Sequence, residues 1–463
     1  MAEDKPKDMP PTSRLGRLAR LAGLAPRTIP FAIEGAKRAL GQKRTEDEEA
    51  EARRRFSQNA KKTAEAMLRT LGEMKGLPLK FGQMASYIDG LAPLGYEERF
   101  QRALKRLLDK APPLSPEAAV QQVIAELGAH PEEIYGDWEH EPFAAASIGQ
   151  VHRARTREGE PVAVKVQYPG IDKAIENDLK SVAMLETMVS PIAKKLNSRQ
   201  TLDEFRKVFT SELDYAREAE MADVFRRINR EDPDVVIPRV YHSLTTRRVI
   251  TLEMVEGRSY AEFCETASQE EKNKAGITIW RFTFRSMLRH GMLYADPHPG
   301  NYRFLPDGRV AFLDFGCVKE LPPELVGGMK RYMRAALDGD WHEFDRACVE
   351  VLGYDPNDES WDLYRSYTME LVVPLCSDAP WQCTPEKARE HVQYLTRGIK
   401  ELALKNGDGI PHIPHVPKMS QDFTFVNRLQ WGLASVLAGL RTEAAFRPLV
   451  EPWVRSELLP IPD

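Results

Sequence analysis

The pattern of hydrophobic and polar positions changes along the chain and predicts a strand-rich segment between helix-rich ones. From residue 143 the apolar residues follow the spacing of β-strands, and residues 143–154 predict a strand, a loop of small residues and a second strand. After a turn, residues 162–166 predict a buried strand that contains one lysine. Further strands are predicted at residues 235–237 and 248–252. A mixed pattern of this kind indicates an α+β protein.

Helical periodicity dominates the rest of the chain, and with changes in composition it suggests four segments. Residues 171–228 and 270–291 predict helices, and residues 325–460 predict an all-helical lobe. A chain of 463 residues exceeds one ordinary hydrophobic core, so several lobes or domains are expected. In order, we predict a disordered, basic N-terminal segment, a helical extension, a strand-rich lobe with a long helical insertion and a mostly helical C-terminal lobe: residues 1–44, 45–135, 136–255 and 256–463.

A short basic amphipathic helix is predicted near the start of the chain. Between residues 14 and 24, leucines recur at every third position beside arginines. Such a helix is typical of contact with an anionic membrane surface or with a partner helix. It equally fits a helix packed on its own domain with solvated arginines, and the sequence leaves both interpretations open.

Composition narrows the class of protein and of partner. With 42% hydrophobic and 29% charged residues, the chain is typical of a folded globular protein. The net charge of −4 gives no global attraction to nucleic acid, so no nucleic-acid partner is predicted. The five cysteines are sparse and lack C-x-x-C spacing, which favours a reducing compartment over a zinc site. We see no secretory signal and no apolar run near the roughly 20 residues that span a bilayer. The expected location is cytoplasmic, and the basic helix leaves open a peripheral contact on the inner membrane face.

The strongest chemical signal is a pair of acidic motifs in the C-terminal half. Asp296 and Asn301 form a D-x4-N element, and Asp314 opens a D-F-G after a spacing that accommodates a loop, a short β-hairpin and a turn. Phosphoryl transfer from ATP uses one carboxylate near the attacking oxygen, with an amide and a second carboxylate holding Mg²⁺ on the phosphates. The sequence therefore predicts ATP (or ADP) and Mg²⁺ as cofactors. Asn301 and Asp314 are the predicted metal ligands, and Asp296 is the predicted catalytic base.

Nucleotide binding is predicted in the strand-rich lobe. Lys165 lies in a Val/Ala strand, where a lysine is costly to bury unless it meets an anion, and a kinase lysine on the α- and β-phosphates accounts for it. In the preceding loop, alanines replace the first two glycines of the kinase pattern G-x-G-x-x-G-x-V. Alanine restricts φ, so a stiffer loop with altered phosphate geometry is expected. Backbone groups of Glu253 and Met254, after a later strand, are predicted to hold the adenine. The predicted loop contacts are Ala144, Ala145, Ala146, Ser147, Gly149 and Val151.

Three acidic residues are candidates for the partner of Lys165. Glu212, Asp214 and Glu218 occupy about two helical turns, and one of them is expected to pair with Lys165 as in a kinase αC helix. Glu212 and Glu218 are six residues apart and do not share one narrow helix face. The three acids therefore need not have one role.

The surroundings of the acidic motifs argue against a protein substrate. Only residues 317–324 separate the D-F-G from the next predicted helix, which leaves no room for a phosphorylatable activation segment or a peptide-docking platform. No H-R-D precedes Asp296, because Tyr294 and Ala295 stand there. Small molecules, lipids or water are therefore the predicted acceptors.

Taken together, these motifs resemble the UbiB-like (UbiB/AarF) atypical kinase family over roughly residues 45–440. The motifs that carry the resemblance are Lys80-x-Gly82-Gln83, the alanine-rich loop 144–147, Val162-Ala-Val-Lys165, Glu212-x-Asp214, Asp296-Pro-His-Pro-Gly-Asn301 and Asp314-Phe-Gly316. The resemblance implies a two-lobed protein-kinase-like fold with an N-terminal helical extension folded over the active site.

The resemblance also assigns roles. It implies that Lys80 reaches into the nucleotide site, meets Glu212 and Asp214, and with them occludes the place where a peptide would bind. It implies that Glu218 is the partner of Lys165. Family members support quinone or isoprenoid-lipid metabolism at membranes, as ATPases or kinases of small molecules. A role in ubiquinone biosynthesis and a peripheral membrane contact are thus implied here.

Two departures from the family make the quinone role less direct, and other interpretations stay open. Met221 stands where the family often has an asparagine, and the sequence lacks the C-terminal transmembrane helices of some quinone-pathway relatives.

A second interpretation is a nucleotide-gated scaffold. The intact Asp296 argues against it, and the K-x-G-Q occlusion favours it. A third, a metabolite kinase of the aminoglycoside or choline type, shares the D-x4-N loop but predicts neither K-x-G-Q nor the alanine-rich loop. The sequence also leaves protein partners and a homodimer open.

Overall fold

The computed structural model describes residues 115–146, 148–188, 211–404 and 421–463, together with Ser13, Gly16 and Pro417. These residues fall into two units, one ending at Met188 and one running from residue 211 onward. Both units combine helices with small sheets, which confirms the predicted α+β class. Lys80, Ser147 and the basic segment at residues 14–24, apart from Gly16, lie outside the described residues.

The first unit is a small antiparallel sheet accompanied by helices. Its strands are β1 (Asp137–Trp138), β2 (Ala144–Ala145), β3 (Gly149–Arg155) and β4 (Pro161–Gln167), and its helices are α1 (Pro116–Leu127), α2 (Pro131–Ile134) and α3 (Ile171–Met188). Strands β1, β2 and β4 each pair with β3 in antiparallel fashion. Along β4, Val162, Val164 and Val166 are buried, whereas Ala163 and Lys165 are only half-buried. The predicted buried strand is thus present, and its lysine lies on the more open face.

The second unit contains the remaining strands and most of the helices. Its strands are β5 (Val235–Val236), β6 (Val249–Glu253), β7 (Met292–Tyr294), β8 (Tyr302–Phe304), β9 (Val310–Phe312), β10 (Val318–Glu320), β11 (Trp381–Gln382) and β12 (Glu443–Ala444). Its helices are α4 (Tyr215–Ile228), α5 (Tyr260–Thr266), α6 (Gln269–His290), α7 (Pro323–Asp338), α8 (Trp341–Leu352), α9 (Trp361–Val372), α10 (Pro385–Leu404), α11 (Gln421–Leu440) and α12 (Arg447–Arg455).

The strand pairs of the second unit are short. Strand β9 pairs in parallel with β5 and antiparallel with β8, and β7 pairs antiparallel with β10. The β8–β9 pair is the hairpin predicted between D-x4-N and D-F-G. The predicted all-helical lobe is interrupted, because β11 pairs with β12 across more than 60 residues of sequence.

Helix α6 leads directly into the candidate site, and its two ends follow from local sequence. Ser268 and Glu271 form a reciprocal capping box at its start. Gly291 ends the helix with a φ of 68°, a left-handed conformation that favours glycine. The observed span differs by one residue at each end from the predicted 270–291. Among the described residues, no helix is both long and apolar enough to cross a bilayer.

Aromatic side chains form the core beneath the acidic motifs. Phe282 of α6 stacks on Phe312 of β9 at a centroid distance of 3.7 Å and meets Tyr294 of β7 edge-on at 5.4 Å. Phe315, the middle residue of the D-F-G, lies 5.3 Å from Phe225 of α4. This aromatic cluster therefore packs helix α4, strand β7 and the D-F-G motif against one another.

A buried ion cluster ties α6 to the turn that follows α4. The carboxylate of Asp232 accepts two hydrogen bonds from the Arg281 guanidinium, both at 2.7 Å, and lies 3.0 Å from Arg285. Arg281 also donates to Asp234 at 2.9 Å. Although burial opposes it, these bonds to Asp232 and Asp234 raise the pKa of Arg281. The cluster holds the middle of α6 against the start of β5.

Candidate active site

The catalytic-loop aspartate follows directly on strand β7. Tyr294 at the end of β7 is in register with Val318 of β10, and the Ala295 amide donates to the Cys317 carbonyl at 2.9 Å. The residues after D-F-G therefore run alongside the residues before Asp296. Asp296 is 5% exposed, so only a small part of it meets solvent.

Asn301 is fixed between the two motifs by hydrogen bonds at both of its ends. Its side-chain amide donates to the Asp296 carbonyl at 3.0 Å, and its own carbonyl accepts from the Leu313 amide at 2.9 Å. The Nδ2 group is thus used within the loop, and Oδ1 is the side-chain atom of the type that Mg²⁺ prefers. The role of Asn301 as a metal ligand stays a prediction.

His298, to which the sequence assigned no role, shapes the loop between Asp296 and Asn301. Its Nδ1 accepts from the Gly300 amide at 3.0 Å, at the start of the 3₁₀ turn Pro299–Asn301. A polar side chain two residues before a glycine, with proline between, was the available signal. We assign His298 the part of positioning Asn301.

Asp314 adopts the turn expected at the start of a D-F-G. Its Oδ1 accepts from the Gly316 amide at 3.0 Å, and the residue is half-buried. Tyr294 lies beneath the two motifs. Its burial, the neighbouring Tyr302 and the charges of Asp314 and Asp296 raise the pKa of Tyr294 well above its usual value. The phenol therefore stays protonated beside the two carboxylates.

Two of the three acidic candidates converge on the D-F-G glycine. A Cβ atom placed on Gly316 would lie 3.6 Å from Glu218 Oε2 and 3.7 Å from Glu212 Cγ. The same position is 3.4 Å from Asp314 Oδ1. Glu212 and Glu218 are 7% and 3% exposed, so the surroundings of Gly316 are acidic and largely buried. Such a cluster requires cations to offset its charge.

Asp214 has a different part from the other two acids. Its side chain accepts from the Arg217 amide at 3.2 Å, which makes it the N-cap of α4. Glu218 lies in the first turn of the same helix, where the helix dipole favours negative charge. The local contacts of Asp214 therefore differ from those of Glu212 and Glu218, and the roles of the three acids in the site stay a prediction.

The alanine-rich loop of the first unit forms a tight hairpin. Ala144 and Ala145 pair with Val151 and Gln150, and the Ala146 amide donates to the Gly149 carbonyl at 2.8 Å. In the next strand pair Val151 is directly opposite Lys165, so these two predicted nucleotide contacts lie on one face of the sheet. Lys165 and the loop belong to the first unit and the acids to the second. The pairing of Lys165 with Glu218 stays a prediction.

The predicted adenine hinge begins at the end of β6. The Glu253 amide donates to the Arg239 carbonyl at 2.8 Å, and the Arg239 amide donates back to the Glu253 carboxylate at 3.1 Å. An adenine contact through Glu253 would therefore use its carbonyl oxygen. Met254, the next residue, is half-buried, and its predicted contact with adenine also stays a prediction.

The residues present fit a magnesium ion that is shared with phosphate oxygens. No group of three or more His, Cys, Asp or Glu side chains in the described ranges is placed to hold a metal. Mg²⁺ commonly takes one or two protein ligands and fills the remaining positions with phosphate and water. Asn301 and Asp314 supply an amide oxygen and a carboxylate of the kind that such an ion takes, and their role as ligands stays a prediction.

Comparison with known proteins identifies a family pattern over the same region. Residues 106–347 match the family described as ABC1 atypical kinase-like domain. The chain is 35% identical to "Uncharacterized protein sll1770" of Synechocystis over 81% of this chain and 61% of that one. It is 31% identical to "Atypical kinase COQ8B, mitochondrial" of Danio rerio over 71% of this chain and 52% of that one.

A solved structure shares the fold. The complex of Rv3197 with erythromycin from Mycobacterium tuberculosis is 25% identical in sequence and has a TM-score of 0.58, covering 90% of this chain and 99% of that one. The match with the two curated relatives spans about half to three fifths of their length.

Proposed function

The chain belongs to the ABC1 atypical kinase-like family, and from this premise we propose that it is an ATP- and Mg²⁺-dependent phosphotransferase. Its acceptor is a small molecule, a lipid or water, and its metabolic setting is that of quinones or isoprenoid lipids. The observation that carries the proposal is the Asn301 bridge, in which the side-chain amide of Asn301 bonds the Asp296 carbonyl and its backbone carbonyl accepts from Leu313, the residue before Asp314. Phosphoryl transfer depends on holding its base and its metal ligands in such a fixed relation.

Each motif has a defined part in this proposal. Asn301 and Asp314 would hold Mg²⁺, which offsets charge on the phosphates when it is bound. Asp296 orients the acceptor hydroxyl or water and takes its proton. Lys165 positions the phosphates, the alanine-rich hairpin covers them, and Glu218 orients Lys165.

The segment after D-F-G supports an acceptor that is not a polypeptide. Strand β10 follows within two residues of Gly316, and α7 begins at Pro323. That connection leaves no stretch of chain on which a peptide could lie as it does on a kinase activation segment. We therefore place small molecules and lipids ahead of proteins as acceptors.

The test is phosphate release from ATP·Mg²⁺ by wild type and by Asp296→Asn. Turnover should fall about tenfold or more in the variant, because positioned proton transfer is typically worth at least that factor. Nucleotide affinity, measured separately by titration, should be retained. Asp307→Asn is the matched control, since Asp307 is an exposed aspartate in the turn of the β8–β9 hairpin and is paired with Arg309. Equal turnover by wild type and Asp296→Asn would refute the assignment of the base.

The same assay separates the enzyme from a nucleotide-gated scaffold. Wild-type protein that binds ATP tightly but shows no Asp296-dependent turnover, with or without anionic liposomes carrying an apolar phenol, would favour the scaffold. Stimulation of Asp296-dependent turnover by the liposomes would favour a lipid-linked acceptor at a membrane surface. Deleting residues 1–40 tests the basic segment, which we propose as the contact, and unchanged liposome binding would refute it.

A further inference from the structure

The helices of the second unit surround a cavity that is separate from the acidic motifs. Its volume is about 640 Å³, within the range of roughly 300 to 1,000 Å³ that is typical of small-molecule sites. Helices α6, α7, α9, α10 and α11 contribute to its wall. Much of that wall is aromatic or thioether: Trp280, Phe284, Met287, Met329, Met333 and Phe446. None of the described lining residues belongs to the D-x4-N or D-F-G motif.

One part of the wall carries a histidine held in a defined protonation state. His391 Nδ1 lies 3.3 Å from Glu370 Oε2, and the ring stacks on Tyr367 at a centroid distance of 4.4 Å. Burial lowers the pKa of His391, although Glu370 opposes the shift, so the ring is neutral near pH 7. Its proton lies on Nδ1, facing the carboxylate, and Nε2 is left as a hydrogen-bond acceptor.

The acceptor on His391 lacks a partner, and so does a second polar atom of the wall. Within the described part of the chain, neither His391 Nε2 nor Gln430 Oε1 has a hydrogen-bond partner, and both atoms are buried. Both residues line the cavity. Buried polar atoms are nearly always satisfied, so an unmatched acceptor on a residue that lines a cavity indicates a missing donor.

The charges around the cavity favour an uncharged ligand. Two acids and two bases line it, namely Glu370, Glu390, Lys387 and Arg397. Glu370 is engaged by His391, and Lys387 Nζ donates to the Gln382 carbonyl at 3.0 Å while lying 3.8 Å above the Trp381 ring. The charges offset one another, and no excess of one sign is left to attract an ion.

We propose that this cavity binds an uncharged, apolar small molecule whose hydroxyl group donates a hydrogen bond to His391 Nε2. The aromatic and methionine side chains take the apolar body, and methionine adapts to irregular shapes. The hydroxyl supplies the donor that the wall lacks. This site is independent of the phosphotransferase proposal, because it uses none of the residues assigned to ATP or Mg²⁺.

Three probes with a nine-carbon chain test the class of ligand by calorimetric titration of the full chain. 1-Nonanol offers a donor, nonyl methyl ether keeps only an acceptor, and nonanoate carries a charge. The alcohol should bind about ten- to hundredfold more tightly than the ether, because the ether leaves His391 Nε2 unsatisfied. Nonanoate should bind more weakly than the alcohol.

Substitutions then locate the binding. His391→Phe keeps a ring against Tyr367 and removes the acceptor, so the alcohol should bind only as tightly as the ether, whose affinity should not change. His342→Phe is the matched control, because His342 is exposed on α8 and does not line the cavity. Ala434→Phe fills space on the α11 wall and should weaken the alcohol and the ether alike.

Several results would overturn the proposal. Wild type that binds alcohol and ether with equal affinity would contradict it, as would no binding of either probe up to its solubility limit. Tighter binding of nonanoate than of nonanol would contradict it as well. Equal weakening of alcohol and ether by His391→Phe would also overturn it, since the ring would then contribute by packing rather than by accepting a hydrogen bond. Because the comparison of probes on wild type needs no variant, the test holds even where a substitution prevents folding.

Discussion

Replacing Asp232 by asparagine should destabilise the second unit by about 3 kcal/mol, because it breaks the buried ion cluster on α6. The Asp232 side chain is 2% exposed and serves two cations, Arg281 with two hydrogen bonds and Arg285 at 3.0 Å. Asparagine keeps the shape of the side chain but removes the charge. Arg281 would then keep Asp234 as its remaining acid, and Arg285 would keep its hydrogen bond to Asn229.

The magnitude follows from the exposure of each partner. Removing one member of a buried pair typically costs about 3–5 kcal/mol, since the other charge is left uncompensated. Arg281 and Arg285 are 23% and 12% exposed, so water screens part of the loss, and Arg281 keeps its bond to Asp234 at 2.9 Å. The lower end of that range is therefore expected. Burial already lowers the pKa of Arg285, which shows that its charge is held in an unfavourable place.

Urea unfolding of the full chain, combined with hydrogen exchange of the α6 amides, measures this effect. Exchange assigns the change to Gln269–His290, whichever unit unfolds first. Asp307→Asn is the matched control, because Asp307 also pairs with an arginine but is exposed, and its loss should change stability little. The double variant Asp232→Asn/Arg281→Met should recover part of the loss, because it removes one cation that the single change leaves unpaired.

Equal changes in the free energy of unfolding for Asp232→Asn and Asp307→Asn would refute this prediction. A shift of the unfolding free energy below about 1 kcal/mol would mean that solvent screens the cluster as it screens a surface pair. A double variant that loses more than the sum of its parts would mean that Arg281 contributes chiefly by packing.

Two further predictions concern a buried histidine and a glycine that is packed against a threonine side chain. His152 donates from Nδ1 to the Glu139 carbonyl at 3.0 Å, and burial lowers its pKa below 6.5, so the unfolded chain takes up this proton at a higher pH than the folded chain. The contribution of His152 to stability should be complete above about pH 6.5 and should fall as the pH drops further. The variant His152→Phe should flatten the pH dependence of the free energy of unfolding, measured between about pH 7.5 and 5.5. An unchanged pH dependence would contradict this. A Cβ on Gly276 would lie 1.9 Å from Thr442 Oγ1, so Gly276→Ala should lower the free energy of unfolding by about 1–3 kcal/mol. Gly327→Ala, with nothing within 4 Å of its Cβ, should instead raise it by about 0.5–1 kcal/mol, and equal effects of the two changes would rule out the clash.

Local patterns account for the parts of the fold that the sequence predicts well. The β8–β9 hairpin, the buried strand β4 and helix α6 each follow from residues within about 20 positions of one another, where spacing and caps determine the outcome. The β11–β12 pair was missed because each strand has two residues and its partner is far away in the sequence. Pairing at that distance depends on tertiary packing, and two residues show no periodicity.

The candidate site likewise has a part that local sequence predicts and a part that depends on tertiary packing. Asp296, Asn301 and Asp314 are predictable because D-x4-N and D-F-G are short motifs, each of which forms its own turn. The convergence of Glu212 and Glu218 on Gly316 could not be predicted from the sequence. Six residues separate the two acids, and only the start of α4 brings both toward one glycine.

Asp214 shows how that start is chosen. As the N-cap it satisfies the Arg217 amide, which fixes the first helical residue at Tyr215 and places Glu218 in the first turn. Asp214 thus sets the start of the helix that carries Glu218, and its predicted meeting with Lys80 stays a prediction.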